Sequence, residues 1–198
     1  MPAFVAGGLA PVAELALRGA LGGLGADPVA FVLHRLGLAA LIFLVAGLAC
    51  TPLRAWLGWT WPLRVRRALG LLAFGYAAAH VAVYAGVDQG LDARAIVKDV
   101  TERPFVTLGA AAFALLVPLA WTSTDGAVRR MGGRRWATLH RWVYPAAVLA
   151  ALHFLLRVKR DVTEPAVYGG VLALLLLLRG ARRPSRRASG AGDGPPTG

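Results

Sequence analysis

The chain has 198 residues, of which 57% are hydrophobic and 16% charged, and it carries a net charge of +12. A soluble domain has about a quarter charged residues, and here the apolar residues are gathered into long runs, so a water-soluble globule is excluded. The arginines stand at the edges of those runs, which is the pattern of topology signals and lipid-headgroup contacts rather than of a nucleic-acid footprint.

Each run must satisfy its backbone inside the bilayer, and without strict alternation of polar and apolar residues the runs read as helices and not as barrel strands. The first, from about Val5 to Leu24, is interrupted by Glu14 and Arg18, which pair at i, i+4 on one face. It reads as an imperfect transmembrane helix; a signal peptide is the alternative, opposed by the lack of positive charge before the apolar stretch. The second runs from Val29 to Cys50, opened by Pro28 and ended by Thr51-Pro52. The third spans about Ala68 to Val87, and the fourth Pro104 to Trp121 with no charge inside it. The fifth spans Trp136 to Leu156 with Arg141 as its one formal charge, and the sixth runs from near Pro165 to Leu178. The sixth is short, and either thins the bilayer or borrows length if Arg179 snorkels. Cys50 is the only cysteine, so no internal disulfide or CxxC motif exists, and it reads as a small buried hydrophobe.

The expected fold is therefore all-α: a polytopic integral membrane helical bundle of about six transmembrane helices. It forms a single domain over residues 1–179, with a disordered cytoplasmic tail over 180–198 rich in Arg, Ser, Gly and Pro. Arg54, Arg64, Arg66 and Arg67, then Arg129, Arg130, Arg134 and Arg135, then the arginines after the sixth helix, all fall on one side. The opposite loops hold Asp88, Asp92, Asp99, Glu102, Asp161 and Glu164. The positive-inside rule makes the arginine side cytoplasmic, with both termini there if the first helix spans. All six tryptophans fall near that side, as an aromatic belt would.

Four histidines, His34, His80, His140 and His153, fall inside predicted helices. Ionisable groups there are costly and are functional candidates by default, and imidazole is a common axial ligand to haem iron. His80, eight residues before Asp88, lies roughly 12 Å inside the acidic edge, and His153, four residues before Arg157, roughly 6 Å inside the same edge. The two can meet across one macrocycle, and His34 falls in the same half. His140, five residues after Arg135, lies near the arginine face, about 20 Å from His153 along their helix. Thirteen residues leave those two side chains roughly 140° apart in azimuth, with Pro145 between them, and no second histidine lies at the depth of His140. The residues alone leave two readings open: imidazoles that hydrogen-bond neighbouring helices, or haem ligands. Arg35 beside His34, and Arg141, serve a haem propionate or simply reach the aqueous edge. There is no P-loop, GxSxG or HExxH motif, and no carboxylate inside a predicted span except Glu14.

The segments GLGADP (23–28), TPLR (51–54), RRALGLLAFGYAAAH (66–80), ERPFVTLG (102–109), LAWTST (119–124), RRWATLHRWVY (134–144) and LHFLLRVK (152–159) carry a resemblance in their order and spacing. The chain resembles the MsrQ (YedZ) family, the haem-binding membrane subunits of a periplasmic methionine sulfoxide reductase system, within the ferric reductase-like transmembrane superfamily. The resemblance implies one or two b-type haems carried by His80, His140 and His153, a role for His34 near the start of the second helix, and an associated FMN. It implies electrons passing from a cytoplasmic flavin reductase or the quinone pool to a periplasmic molybdopterin subunit, MsrP, in the bacterial inner membrane. A flavin phosphate would find Arg64, Arg66, Arg67 or Arg134 on the arginine face. The rivals are a ferric reductase-type haem enzyme acting directly on a metal chelate, and a haem-free scaffold or transporter.

Overall fold

The computed structural model describes residues 2–158 and 161–180; the tail expected over 180–198 lies, from residue 181 on, outside the described residues. Those residues form helices throughout, in the order α1 (Pro2–Ala20), α2 (Pro28–Leu57), α3 (Trp61–Val83), α4 (Ala93–Glu102), α5 (Pro104–Trp121), α6 (Asp125–Met131), α7 (Gly133–Leu139), α8 (Val143–Arg157) and α9 (Thr163–Gly180). A π-helical turn, Tyr84–Asp88, extends α3, and a 3-10 turn, His140–Trp142, joins α7 to α8.

Five segments are long and apolar enough to cross a membrane: Pro28–Leu57, Trp61–Asp88, Pro104–Trp121, Gly133–Arg157 and Thr163–Gly180. The chain is an all-α multi-pass membrane protein, and the expected six spans become five plus α1. That first helix is docked rather than free. Arg35 on α2 pairs with Glu14, which also holds Arg18, and the Tyr76 hydroxyl on α3 donates to the Gly8 carbonyl at 2.6 Å.

Two boundaries differ from the sequence reading for identifiable reasons. α2 continues through Pro52 to Leu57 and stops only at Gly58, whose φ of 71° gives the left-handed cap that glycine tolerates. Pro52 removes one hydrogen bond near the helix end, but Leu48, Cys50 and Pro52 are all buried, and that packing keeps the helix running. The fifth predicted helix is interrupted instead of continuous. Pro145 has no N–H for the Arg141 carbonyl and its ring crowds it, and the chain answers with the 3-10 turn at His140–Trp142. The loops also hold helices the hydropathy pattern did not show. Asp92 caps α4 by accepting from Arg94 and Ala95 N–H, and Thr124 caps α6 by accepting from Ala127 N–H.

The centre is packed by Leu44 and Leu48 of α2, Ala73 of α3, Leu116 and Leu119 of α5, Ala146 and Ala147 of α8, and Leu172 of α9. The alanines are fully or almost fully covered and let helix backbones approach closely, which is how membrane helices gain contact where no hydrophobic force separates them from lipid. Cys50 is buried and its thiol donates to the Ala46 carbonyl. Among the described residues no polar side chain is fully buried, while Val117, Val148, Leu152, Leu156, Val171, Leu174 and Leu177 stand exposed. In water that surface would aggregate; against acyl chains it is the solvated face. Trp56, Trp59, Trp61, Trp121 and Trp142 are exposed as a belt requires. Trp136 is turned inward, its indole N–H donating to the Thr122 carbonyl.

Candidate functional site

α2, α3, α5 and α8 enclose a cavity of about 480 Å³, inside the range of roughly 300–1,000 Å³ that holds a cofactor-sized ligand. Its inner wall is apolar, with Leu41, Leu44, Ala77, Phe113 and Leu116. His34, His80 and His153 line it, which puts together the three histidines that fall in the half nearer the acidic edge.

His80 on α3 and His153 on α8 face each other with ring centroids 6.2 Å apart and planes at 83°. His80 Nδ1 lies 2.8 Å from the Leu33 carbonyl of α2, and His153 Nδ1 lies 2.6 Å from the Phe105 carbonyl of α5. A carbonyl can only accept, so each Nδ1 carries the proton and donates it. The tautomer follows: Nε2 is left as the lone-pair nitrogen on both rings. This is the arrangement of a metal-ligating histidine, whose other ring nitrogen is tied to a backbone or carboxylate oxygen.

The spacing fits one shared iron. With a metal–imidazole bond of about 2 Å and about 1.2 Å more from Nε2 to the ring centre, two imidazoles sharing one ion would hold their centroids at most about 6.4 Å apart. Among the described residues no three His, Cys, Asp or Glu side chains converge as a metal cage. Two protein ligands in an apolar cavity match an iron whose remaining positions are filled by a macrocycle, and the donor set therefore fits haem.

The other sequence candidates separate. His34 lines the same cavity, but its Nε2 faces the Glu164 carboxylate of α9 at 3.3 Å and its ring packs on Phe154. His140 is elsewhere, on the 3-10 turn near the arginine face. Trp136 stacks on it with centroids 3.9 Å apart, and its Nε2 lies 3.0 Å from the Thr122 hydroxyl. That hydroxyl donates to the Pro118 carbonyl at 2.7 Å, so it accepts from His140, whose proton is then on Nε2. Arg141 is exposed on the same turn and does not line the cavity. Arg35 is engaged with Glu14. Among the described residues the arginines that do reach the cavity are Arg103 and Arg157, at its acidic end beside Asp27, Asp88 and Asp99. Asp99 accepts from the Tyr84 hydroxyl at 3.2 Å and pairs with Arg103 at 3.3 Å, so α4 is tied across that end.

On the opposite face Arg67 pairs with Asp125 at 2.6 Å, and that guanidinium holds the Asp125 carboxyl below its ordinary value. Arg179 lies 4.8 Å over the Tyr144 ring, a cation–π contact where snorkelling was expected. The two backbone carbonyls, Arg103 and Arg157 were not marked as site residues by the sequence reading. The ERPF and LLRV segments flanking the cavity were the only trace of the arginines.

A multi-pass helical protein with paired imidazoles in an apolar cavity has counterparts of known class: residues 33–151 match the family described as ferric reductase like transmembrane component. Within that class, the chain is 50% identical over 182 residues to the protein-methionine-sulfoxide reductase heme-binding subunit MsrQ of Rhodospirillum rubrum, covering 92% of this chain and 88% of the relative. It is 51% identical over 186 residues to the MsrQ of Deinococcus radiodurans, covering 93% and 91%, and 50% identical over 175 residues to that of Brucella ovis, covering 88% and 79%. The chain belongs to the MsrQ family of membrane redox subunits.

Proposed function

We propose that the chain holds a b-type haem between His80 and His153 and carries electrons through the membrane to a methionine sulfoxide reductase. The observation that carries the proposal is the pair of Nδ1–H to carbonyl bonds, which leave both Nε2 lone pairs free at a centroid spacing of 6.2 Å. A haem held there supplies a one-electron ferric/ferrous couple. The protein contributes orientation of both imidazoles, apolar walls that keep water from the ligands, and positive charge from Arg103 and Arg157 at the acidic end, suited to carboxylates such as propionates.

Residues 1–179 act as a single domain. The arginine side is cytoplasmic by the positive-inside rule, and the acidic side, with α4 across the cavity end, faces the periplasm of a bacterial inner membrane. Electrons enter on the arginine side from a flavin reductase or from quinol. Arg64, Arg66 and Arg134 would meet an FMN phosphate; Arg67 is engaged with Asp125. His140 lies on this entry side, and ligation of a second haem through its Nε2 requires Thr122 to release it. Electrons leave at the α4 face towards a periplasmic molybdopterin partner of the MsrP kind. The names of the relatives, heme-binding subunits of a protein-methionine-sulfoxide reductase, support the reading.

The test is optical and EPR spectroscopy of the purified protein with haem quantified. His80→Ala and His153→Ala are each expected to abolish the low-spin bis-imidazole signal. Unchanged spectra in both would overturn the assignment. Ferric chelate reduction at full rate by the chain without a periplasmic partner would favour the direct ferric reductase reading instead.

A further inference from the structure

The two imidazoles are gripped by the same two-part device, repeated on two helix pairs. On α2 the Leu33 carbonyl takes the His80 proton, and Gly37, four residues on, faces the same ring. On α5 the Phe105 carbonyl takes the His153 proton, and Gly109, again four residues on, faces that ring. Four residues are about one helical turn, so carbonyl and glycine stand one above the other on a single helix face. A Cβ at Gly109 would fall 2.8 Å from His153 Nδ1 and 3.0 Å from Cε1; one at Gly37 would fall 3.2 Å and 3.3 Å from the same atoms of His80. Neither ring is a loose side-chain end that can swing away, because each is held at Nδ1. By contrast, a Cβ at Gly70 or Gly75 of α3 would meet open space. A glycine inside a helix is disfavoured relative to alanine, so the two that touch the imidazoles call for a local reason.

We propose that Gly37 and Gly109 are positioning residues for the imidazoles of His80 and His153. By lacking a Cβ, each lets its neighbour's ring lie flat enough on the helix for Nδ1 to reach the carbonyl one turn earlier. That contact fixes the tautomer and the perpendicular ring planes at once. This inference rests on the reading that His80 and His153 share a haem iron. A methyl group at Gly109 pushes the ring from the Phe105 carbonyl. The imidazole then loses its acceptor and becomes less basic, which weakens its hold on ferric iron. The expected sign is a raised midpoint potential.

The experiment compares Gly109→Ala, Gly37→Ala and Gly75→Ala with the wild-type haem-loaded protein, using low-spin ferric EPR, whose anisotropy reports the angle between ligand planes, together with a redox titration and helix content by circular dichroism. Gly109→Ala should lose most of the low-spin signal or shift it, with a raised potential. Gly37→Ala should do the same to a smaller degree, and Gly75→Ala should match wild type, all with helix content retained. A wild-type EPR signal and potential in Gly109→Ala would overturn the inference. If Gly109→Ala does not accumulate folded, Gly37→Ala decides, and a wild-type signal there overturns it equally. If His80→Ala and His153→Ala leave the low-spin signal intact, it is the haem reading that fails; if they abolish it while the glycine variants keep it, only the positioning role fails.

Discussion

His80 and His153 on one side, and His140 on the other, all sit in membrane-spanning segments, yet their hydrogen bonding is inverted. The first two donate from Nδ1 to backbone carbonyls and keep Nε2 as a lone pair. His140 donates from Nε2 to a threonine hydroxyl and lies under an indole. The same side chain keeps its Nε2 lone pair in one region and uses Nε2 as a donor in the other. What differs is the acceptor geometry of the neighbouring helix. A carbonyl turned outward beside a glycine can meet Nδ1, whereas Thr122 at the end of α5 reaches the far ring nitrogen.

The sharpest way to break this contrast is to remove the rings. His80→Ala and His153→Ala should each lose the bis-imidazole signal, whereas His140→Ala should leave that signal in place; loss of it in all three would erase the distinction. Next in size are the charges at the acidic end. Arg103→Gln or Arg157→Gln removes a positive charge that favours the ferrous state, so the midpoint potential should fall in a redox titration. For charges about 10 Å apart at an intermediate effective dielectric, about 1 kcal/mol is at stake, or about 40 mV for one electron. A smaller effect is expected at the His140 end. Thr122→Val removes the acceptor for His140 and should lower thermal stability by about 1 kcal/mol while the His80–His153 signal is unchanged.

The smallest effect concerns Asp125. Its carboxyl is held below its ordinary value by Arg67, so the stabilisation is present above the unfolded carboxyl value and is lost as pH falls through the lower folded value. Because the pair is exposed, screening leaves it weak. Asp125→Asn should lower stability slightly above about pH 5 and match wild type once the carboxyl is protonated, which flattens a shallow acid limb in a thermal unfolding series.

Much of the central site could be read from residue order. Helical rise alone placed His80 and His153 at similar depth from the acidic edge, and the cavity brings them face to face. The residue order also left His140 with no second histidine at its depth, and the structure places it away from the cavity, beside Thr122 and Trp136. The azimuth reckoned between His140 and His153 assumed one continuous helix, and the segment is not one helix. The 3-10 turn, with about three residues per turn, changes the phase between α7 and α8. Arg141 and Arg35 were each read as serving a propionate or reaching the aqueous edge; among the described residues the arginines lining the cavity are Arg103 and Arg157. Linear position gives depth to within a turn and says nothing of which way a long side chain leans. α4 and α6 were missed because their caps, Asp92 and Thr124, precede short segments that hydropathy does not flag.

Composition and the spacing of apolar runs determined, by themselves, that the chain is an all-α membrane protein and which histidines share a depth, because burial of backbone polar groups in lipid admits few alternatives. Which ring nitrogen is free, which arginines reach the cavity and why Gly37 and Gly109 must lack a side chain were decided only by tertiary structure. Those properties depend on backbone carbonyls and interhelical distances, and every residue type carries the same carbonyl.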